Sequence, residues 1–102
     1  MDAQLRALAD PTRRTILALA WEDGVSAGQL AAHFQVSRPA ISQHLKVLLD
    51  AALVSVRKDG TRRFYKADHA TMADLRDQMA RLGGSLHEDA GGKRRKKKKK
   101  KK

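Results

Sequence analysis

The 102-residue chain contains no cysteine, which removes disulfides, thiolate metal sites and a cysteine nucleophile together. Nothing in it points away from a reducing cytosol, and a cytoplasmic location is expected. No window approaches the ~18 apolar residues of a membrane span. The first residues lack the charged, then apolar, then small pattern of a secretory signal. There is no Ser/His/acid set, no paired carboxylates and no glycine-rich phosphate loop. A body of about 90 residues holds a modest core with little room for a deep catalytic cleft, so neither an enzyme nor a cofactor is expected. What the chain does have is uneven charge. Lys and Arg number 22 against 11 Asp and Glu, a net of +11. Residues 93–102, KRRKKKKKKK, supply ten of those cations, leaving 12 against 11 acids in residues 1–92. A nearly neutral body thus carries a cationic tail.

Helix signals dominate the body. Leu5 and Leu8 lie one turn apart in a short first helix over 3–9. Asp10 before Pro11 is an N-cap followed by proline at the first helical position. It opens a second helix through Glu22, with Ile16, Leu17, Ala20 and Trp21 inward and Gly24 ending it. Ser26 and Gln29 fit a capping box at the start of a short third helix through Leu30, Ala31 and Phe34. After a turn at Gln35 and Val36, Ser37 caps a fourth helix that runs to about Ala51. A short helix, a tight turn and a second helix make a helix-turn-helix unit. LVSVRK (53–58) and TRRFYKA (61–67) flank Asp59-Gly60, a strong hairpin signal, and a hairpin in this place is a wing. Asp68 caps a last helix over about 70–82, with Met72, Leu75, Met79 and Leu82 on one stripe and Gly83-Gly84 stopping it. The fold class is therefore mainly α with a β-hairpin wing, a winged helix-turn-helix in the order α-α-α-α-β-β-α. The organisation reads as a domain over 1–82, a flexible linker over 83–92 and a disordered basic tail over 93–102.

The fourth helix suggests the chemistry. Stepping ~100° per residue, Ile41, Leu45 and Leu48 share one narrow stripe that must face the core. Opposite them lie Pro39, Ser42, Gln43 and Lys46, with no acid until Asp50. The B-DNA major groove admits one α-helix, and its base edges accept hydrogen bonds from such side chains. Arg38 at the helix start is placed for a phosphate or a guanine edge. Segment 38–66 carries a net of +5 and the rest of the body −4, the segregation expected of a nucleic-acid binder. In the wing, Arg57, Lys58, Arg62 and Arg63 flank a turn with Gly60 at its tip, and Thr61 opens the second run, a ribbon able to reach the minor groove or adjacent backbone. Phe64 and Tyr65 fall on opposite strand faces, one of them to pack under the hairpin.

With these motifs in place, LADPTRRTIL (8–17), QLAAHFQVSRPAISQHLKVL (29–48) and LVSVRKDGTRRFYKAD (53–68) together resemble the ArsR family of bacterial winged-helix repressors, over about residues 3–82. The resemblance implies a homodimer whose first and last helices pack across a two-fold axis. It implies recognition helices in successive major grooves of a palindromic operator, about 34 Å apart, and repression by occluding a promoter. By position it implies recognition contacts from Ser37, Arg38, Ser42, Gln43, His44 and Lys46, and wing contacts from Arg57, Lys58, Arg62 and Arg63. The leucines Leu5 and Leu8 and the stripe Met72, Leu75, Met79 and Leu82 independently suggest a dimer interface on the terminal helices. Many family members sense metals, but the positions of their Cys-x-Cys pair are Ser26 and Gly28 here, which suit no soft metal ion. Asp68, His69, Asp74 and His87 do not reproduce the acidic and histidine spacing of the second sensing site. No metal is expected, and Asp68 with His69 reads as a cap arrangement.

The family does not ordinarily end in such a tail. Lys93, Arg94, Arg95, Lys96, Lys97, Lys98, Lys99, Lys100, Lys101 and Lys102 repel one another and stay extended. They add affinity for any duplex through counterion release, without sequence information, and suggest association with the nucleoid. The rival readings of the tail are an engineered solubility tag or an anchor for anionic lipid or polyphosphate. For the whole chain the alternative to a sequence-specific repressor is an architectural, largely non-specific DNA binder. A protein-docking winged helix would call for an acidic or apolar fourth-helix face, which is absent.

Overall fold

Each helix start after the first is made by a side chain that bonds an otherwise orphan backbone N–H. The computed structural model describes residues 1–89, with side chains through residue 83, so the polybasic stretch 93–102 lies outside the described residues. The order is α1 (Asp2–Leu8), α2 (Pro11–Leu19), α3 (Ala27–Phe34), α4 (Arg38–Asp50), β1 (Val54–Asp59), β2 (Arg62–Ala67) and α5 (His69–Asp89), the winged helix-turn-helix order. At α2 the Asp10 carboxylate accepts the Arg13 N–H at 3.0 Å and Pro11 occupies the first helical position. At α3 the capping box closes both ways, Gln29 N–H to Ser26 Oγ at 3.1 Å and Ser26 N–H to Gln29 Oε1 at 2.8 Å. Ser37 caps α4 through the Ala40 N–H at 3.3 Å, and Asp68 accepts the Thr71 N–H at 2.9 Å in the first turn of α5.

The helix α1 has no side-chain cap, and seven residues are too few to be helical alone. Its partners hold it. Arg13 Nε donates to the Ala7 carbonyl and Arg14 Nη1 to the Leu8 carbonyl, each at 2.7 Å, while Gln4 Nε2 reaches the Ala51 carbonyl at 2.8 Å. Two guanidinium groups thus satisfy the last carbonyls of α1, where the helix dipole favours positive charge.

The core sits where α1 to α4 meet the base of the hairpin. Ile16, Leu30, Ile41, Leu45, Leu48 and Leu53 are its largest fully buried side chains. Ile16, Leu17 and Ala20 are buried and Trp21 packs half-buried against the core, as expected, although α2 ends at Leu19 rather than Glu22. The strands pair antiparallel from Val54↔Ala67 to Asp59↔Arg62. That register makes Gly60-Thr61 the two-residue turn, one position beyond the Asp59-Gly60 placement. Gly60 supplies the positive φ, +66°, at the first central position, where a two-residue hairpin of type II′ needs glycine. Val25 adds a one-residue third strand, exchanging hydrogen bonds with Tyr65 at 2.9 and 2.8 Å. Tyr65, and not Phe64, packs its side chain against the core, and so is the aromatic under the hairpin.

The last helix departs from expectation. It continues through Gly83-Gly84 to Asp89, across the expected domain boundary at residue 82. Glycine costs a helix interior about 1 kcal/mol, but it ends a helix only by turning left-handed. Gly60 is the one described glycine with positive φ, so Gly83 keeps the helical path.

The two helices of the helix-turn-helix end alike. Gln35 (φ 58°) and Ala52 (φ 61°) are left-handed. Val36 N–H bonds the Ala31 carbonyl at 3.1 Å with Gln35 N–H on Ala32 at 3.3 Å, and Leu53 N–H bonds Leu48 with Ala52 N–H on Leu49, both at 2.9 Å. These are Schellman closures with a side chain where glycine is usual. A left-handed alanine costs about 1–2 kcal/mol, and glycine's greater freedom when unfolded offsets about 0.5–1. Ala52→Gly is expected to stabilise the protein by about 0.5–1 kcal/mol and raise Tm by a few degrees. Thermal unfolding checks this, and an unchanged or lowered Tm contradicts it.

Candidate nucleic-acid interface

With Ile41, Leu45 and Leu48 turned inward, α4 presents Pro39, Ser42, Gln43 and Lys46 to solvent, all exposed. Lys46 Nζ lies 3.2 Å from Asp50 Oδ2, with both side chains two-thirds or more exposed (75% and 67%). An exposed pair one helical turn apart is worth only a few tenths of a kcal/mol, so Lys46 is free to exchange it for another anion. Ser37 serves as the cap of the helix. Arg38, in the first turn, extends back over α3, its Cζ 3.7 Å from where a Cβ on Gly28 would stand.

His44, a recognition contact only by what the resemblance implies, lies at the edge of the core stripe. It does not share the outward face with Ser42, Gln43 and Lys46. Its Nδ1 accepts from Arg13 Nη1 at 3.3 Å and lies 4.0 Å from Asp10 Oδ2. The helix wheel puts His44 beside the core stripe, and the structure gives it partners there. The cluster couples the start of α2 and the end of α1 to the middle of α4, because the same Arg13 holds the Ala7 carbonyl.

In the wing, Arg57, Lys58, Gly60, Thr61, Arg62 and Arg63 are all exposed. Arg57 and Arg62 stand 5.1 and 5.3 Å from the centre of the Phe64 ring, within cation–π range. Lys58 and Arg63 are direct cross-strand partners, an arrangement of like charges that destabilises a hairpin. The wing lies close enough to α4 that Thr61, Arg62 and Arg63 share a cleft of about 440 Å³ with Arg38 and Ser42. The recognition helix and the wing thus form one continuous cationic surface. Sequence reasoning missed the contribution of α3's first turn and of Tyr65 to that cleft. The Ser26/Gln29 capping box was the signal that could have located the turn.

The six expected interface residues divide. Leu5, Met79 and Leu82 are exposed at 40%, 49% and 58%. Leu75 is buried within its own protomer, and Leu8 and Met72 are half-buried against the core, so none of these three is a free surface residue. Leu8, Leu17, Ala18, Trp21 and Met72 instead line an open apolar groove of about 650 Å³.

At the positions that the resemblance aligns with the family's metal ligands, the side chains have structural roles, and His87 lies outside the residues whose side chains are described. Ser26 Oγ is occupied as a helix cap and Gly28 has no side chain. Asp68 caps α5, and His69 stacks on Trp21 with centroids 4.1 Å apart while its Nε2 donates to the Trp21 carbonyl at 2.7 Å.

A cationic helix and wing on one side of a small helical core define a winged helix-turn-helix DNA-binding protein. Residues 8–57 match the helix-turn-helix domain family. The chain is 48% identical over 81 residues to an HTH-type transcriptional regulator of Mycobacterium tuberculosis, covering 79% of this chain and 76% of that one. It is 41% identical over 71 residues to the arsenical resistance operon repressor of Staphylococcus aureus, covering 70% and 68%. The solved ArsR-like transcriptional regulator of Rhodococcus sp. RHA1 superimposes with a TM-score of 0.80 at 31% identity, over 88% of this chain and 85% of that one. The chain belongs to the ArsR family of winged helix-turn-helix transcriptional regulators, which bind double-stranded DNA and are not enzymes.

The Asp10 cluster yields a prediction. The Arg13 N–H bond holds the Asp10 carboxyl below its ordinary value, opposed by partial desolvation and assisted by the charges of His44 and Arg13. A carboxylate with a lowered folded pKa stabilises above its unfolded value, about 3.9, and that stabilisation is lost as pH falls through the folded value. Asp10→Ala is therefore expected to be less stable than the parent at neutral pH, with the gap narrowing below about pH 4. Urea unfolding across that range checks it, and a gap that stays constant contradicts it.

Proposed function

We propose that this protein is a homodimeric repressor that binds a palindromic operator, with α4 in the major groove and the wing on the neighbouring backbone or minor groove. The observation that carries the reading is the outward face of α4, Ser42, Gln43 and Lys46, continuous with wing cations Arg57, Lys58, Arg62 and Arg63. Its one acid, Asp50, is a weak exposed partner of Lys46. In this reading Arg38 and Ser37 lie at the groove edge, Pro39 starts the helix without needing an N–H, and Gly60 and Thr61 let the wing tip approach closely.

Dimerisation rests on the exposed Leu5, Met79 and Leu82 and on the apolar groove beside Trp21 and Met72. Repression is supported by the likeness to the Staphylococcus aureus repressor. The tail at 93–102 adds sequence-independent affinity in the nucleoid of the cytoplasm. No metal effector is assigned, since Ser26 and Gly28 offer no ligand for a soft ion. A general architectural binder remains the second reading, favoured by the ten cations of the tail alone.

Selection of bound duplexes from a random pool tests the proposal. A two-fold symmetric site with half-sites one helical turn apart is expected, and uniform recovery of sequences contradicts it. On the selected site, Gln43→Ala is expected to relax base preference at a cost of about 1–3 kcal/mol. Arg62→Ala is expected to weaken binding to all duplexes alike. Parent-like binding by both variants contradicts the assigned face. Removing 93–102 is expected to flatten the salt dependence of binding to random duplex and to raise the specificity ratio. An unchanged salt slope contradicts the role given to the tail.

A further inference from the structure

The middle of α4 is tied to the end of α1 by one side chain. Arg13 Nε donates to the Ala7 carbonyl at 2.7 Å and Nη2 to the Arg6 carbonyl at 3.3 Å, which fixes the guanidinium to α1. Its remaining nitrogen, Nη1, lies 3.3 Å from His44 Nδ1. The same ring nitrogen has a second neighbour, Asp10 Oδ2, at 4.0 Å, too far for a hydrogen bond. A guanidinium has only N–H groups to offer and a carboxylate only acceptor oxygens. A neutral imidazole therefore suits Arg13, and an imidazolium suits Asp10. Histidine is the side chain whose charge ordinarily changes between about pH 5 and 8. The Arg13 N–H bond holds the Asp10 carboxyl below its ordinary value, so Asp10 stays a carboxylate across that range. The other charged groups nearby are engaged elsewhere. On α4 itself Lys46 pairs with Asp50 at 3.2 Å. On α2 Arg14 bonds the Leu8 carbonyl, and on α1 Arg6 offers its carbonyl to Arg13. Among the described residues, α3 and β1, which also pack on α4, bring no charged group within hydrogen-bond or ion-pair distance of the ring.

We propose that Arg13 is a positioning residue for operator recognition, and that a proton on His44 loosens its hold on α4. With the ring neutral, the guanidinium joins α4 to α1 beside a second tie, from Gln4 Nε2 to the Ala51 carbonyl. A charged ring repels Arg13 and is drawn toward Asp10. The guanidinium keeps its two carbonyls on α1, so the freedom gained falls to α4 as a small tilt over its buried stripe. The exposed Leu5 puts α1 on the face assigned to the two-fold partner. The tie thus sets the angle of each recognition helix to the dimer axis. Two half-sites one helical turn apart feel that angle, whereas phosphate attraction without base contacts does not. Acid therefore lowers selectivity rather than affinity for every duplex. A histidine touching phosphate itself would have the opposite sign, gaining affinity for all duplexes on protonation. This role deepens the DNA-binding reading and rests on it.

Two measurements on the full chain at constant ionic strength test it. The Arg13 Nε–H resonance is followed by NMR across the histidine range, about pH 5 to 8, together with the His44 ring signals. One shared midpoint is expected, and an Arg13 resonance that ignores the His44 titration overturns the proposal. That arm uses the parent alone. Affinities for the selected duplex and for a random duplex are then measured at both ends of the range. The parent's selectivity is expected to fall about three- to tenfold on acidification, as for the loss of one net hydrogen bond. In His44→Gln the amide oxygen accepts from Arg13 but takes up no proton, and one selectivity is expected across the range. His33, His69 and His87 remain in that variant, so their titration cancels in the comparison. Arg13→Lys keeps the charge but loses the fork, and is expected to show lowered selectivity at both ends. Equal pH dependence in the parent and His44→Gln, or acid-strengthened binding to every duplex, overturns the proposal and leaves the DNA-binding reading in place. Absence of selectivity at every pH overturns both.

Discussion

Burial of Ile41, Leu45 and Leu48 sets the rotation of α4 about its own axis, and what the protein can offer a duplex follows from that rotation. The three side chains are exposed by 1% or less, and each stabilises the fold by about 1.5–3 kcal/mol. Turning the helix by one residue, ~100°, would bring these residues into water and drive polar side chains inward. No alternative seating competes, so Ser42, Gln43 and Lys46 are held outward by the core beneath them rather than by contacts of their own. Both ends are fixed as well. Ser37 caps the start, and the closure at Ala52 delivers the chain into β1. The hairpin follows at once, and Val25 pins its second strand to the body through Tyr65. Wing and helix are thereby held at a set distance.

Around that rigid seat the electrostatics run against folded stability. Lys58 faces Arg63 across the hairpin, Arg38 lies at the positive end of α3, and Arg62 stands near both Phe64 and the cleft. On the opposite side the pattern is conventional. Arg13 and Arg14 meet the carbonyl end of α1, and Asp10 meets the amide end of α2. On the α4 and wing side the ion pairs are exposed and weak, Lys46 with Asp50 and Arg57 with Asp59, whereas the charges at α1 and α2 complement helix dipoles. The Arg13–His44 contact connects the two regions, joining the helix that ends at Leu8 to the middle of α4.

Much of this was legible in the sequence, for physical reasons that differ by element. Caps are local, so Asp10-Pro11, Ser26/Gln29, Ser37 and Asp68 mark their helices without tertiary information. The α4 stripe is legible because a 3.6-residue period divides its residues cleanly. The hairpin was announced by its glycine, though the register moved the turn to Gly60-Thr61. The end of α5 was misplaced because glycine permits a helix stop without compelling one. The burial of Leu75 is not legible in its stripe, because periodicity tells which face a residue occupies, but only the neighbouring elements decide whether that face is covered. The charged cleft was invisible in sequence because it joins residues from α3, α4 and β2 whose proximity depends on the docking of the wing.

In the proposed complex the Gln43 and Lys46 face enters the major groove twice, one partner per half-site. Base-analogue interference on the selected duplex tests it most directly, with 7-deaza purines removing the N7 acceptors of the groove one position at a time. The account predicts loss of binding at two clusters of positions related by two-fold symmetry and about 34 Å apart. Binding indifferent to every 7-deaza substitution, while remaining sensitive to backbone modification, would contradict it.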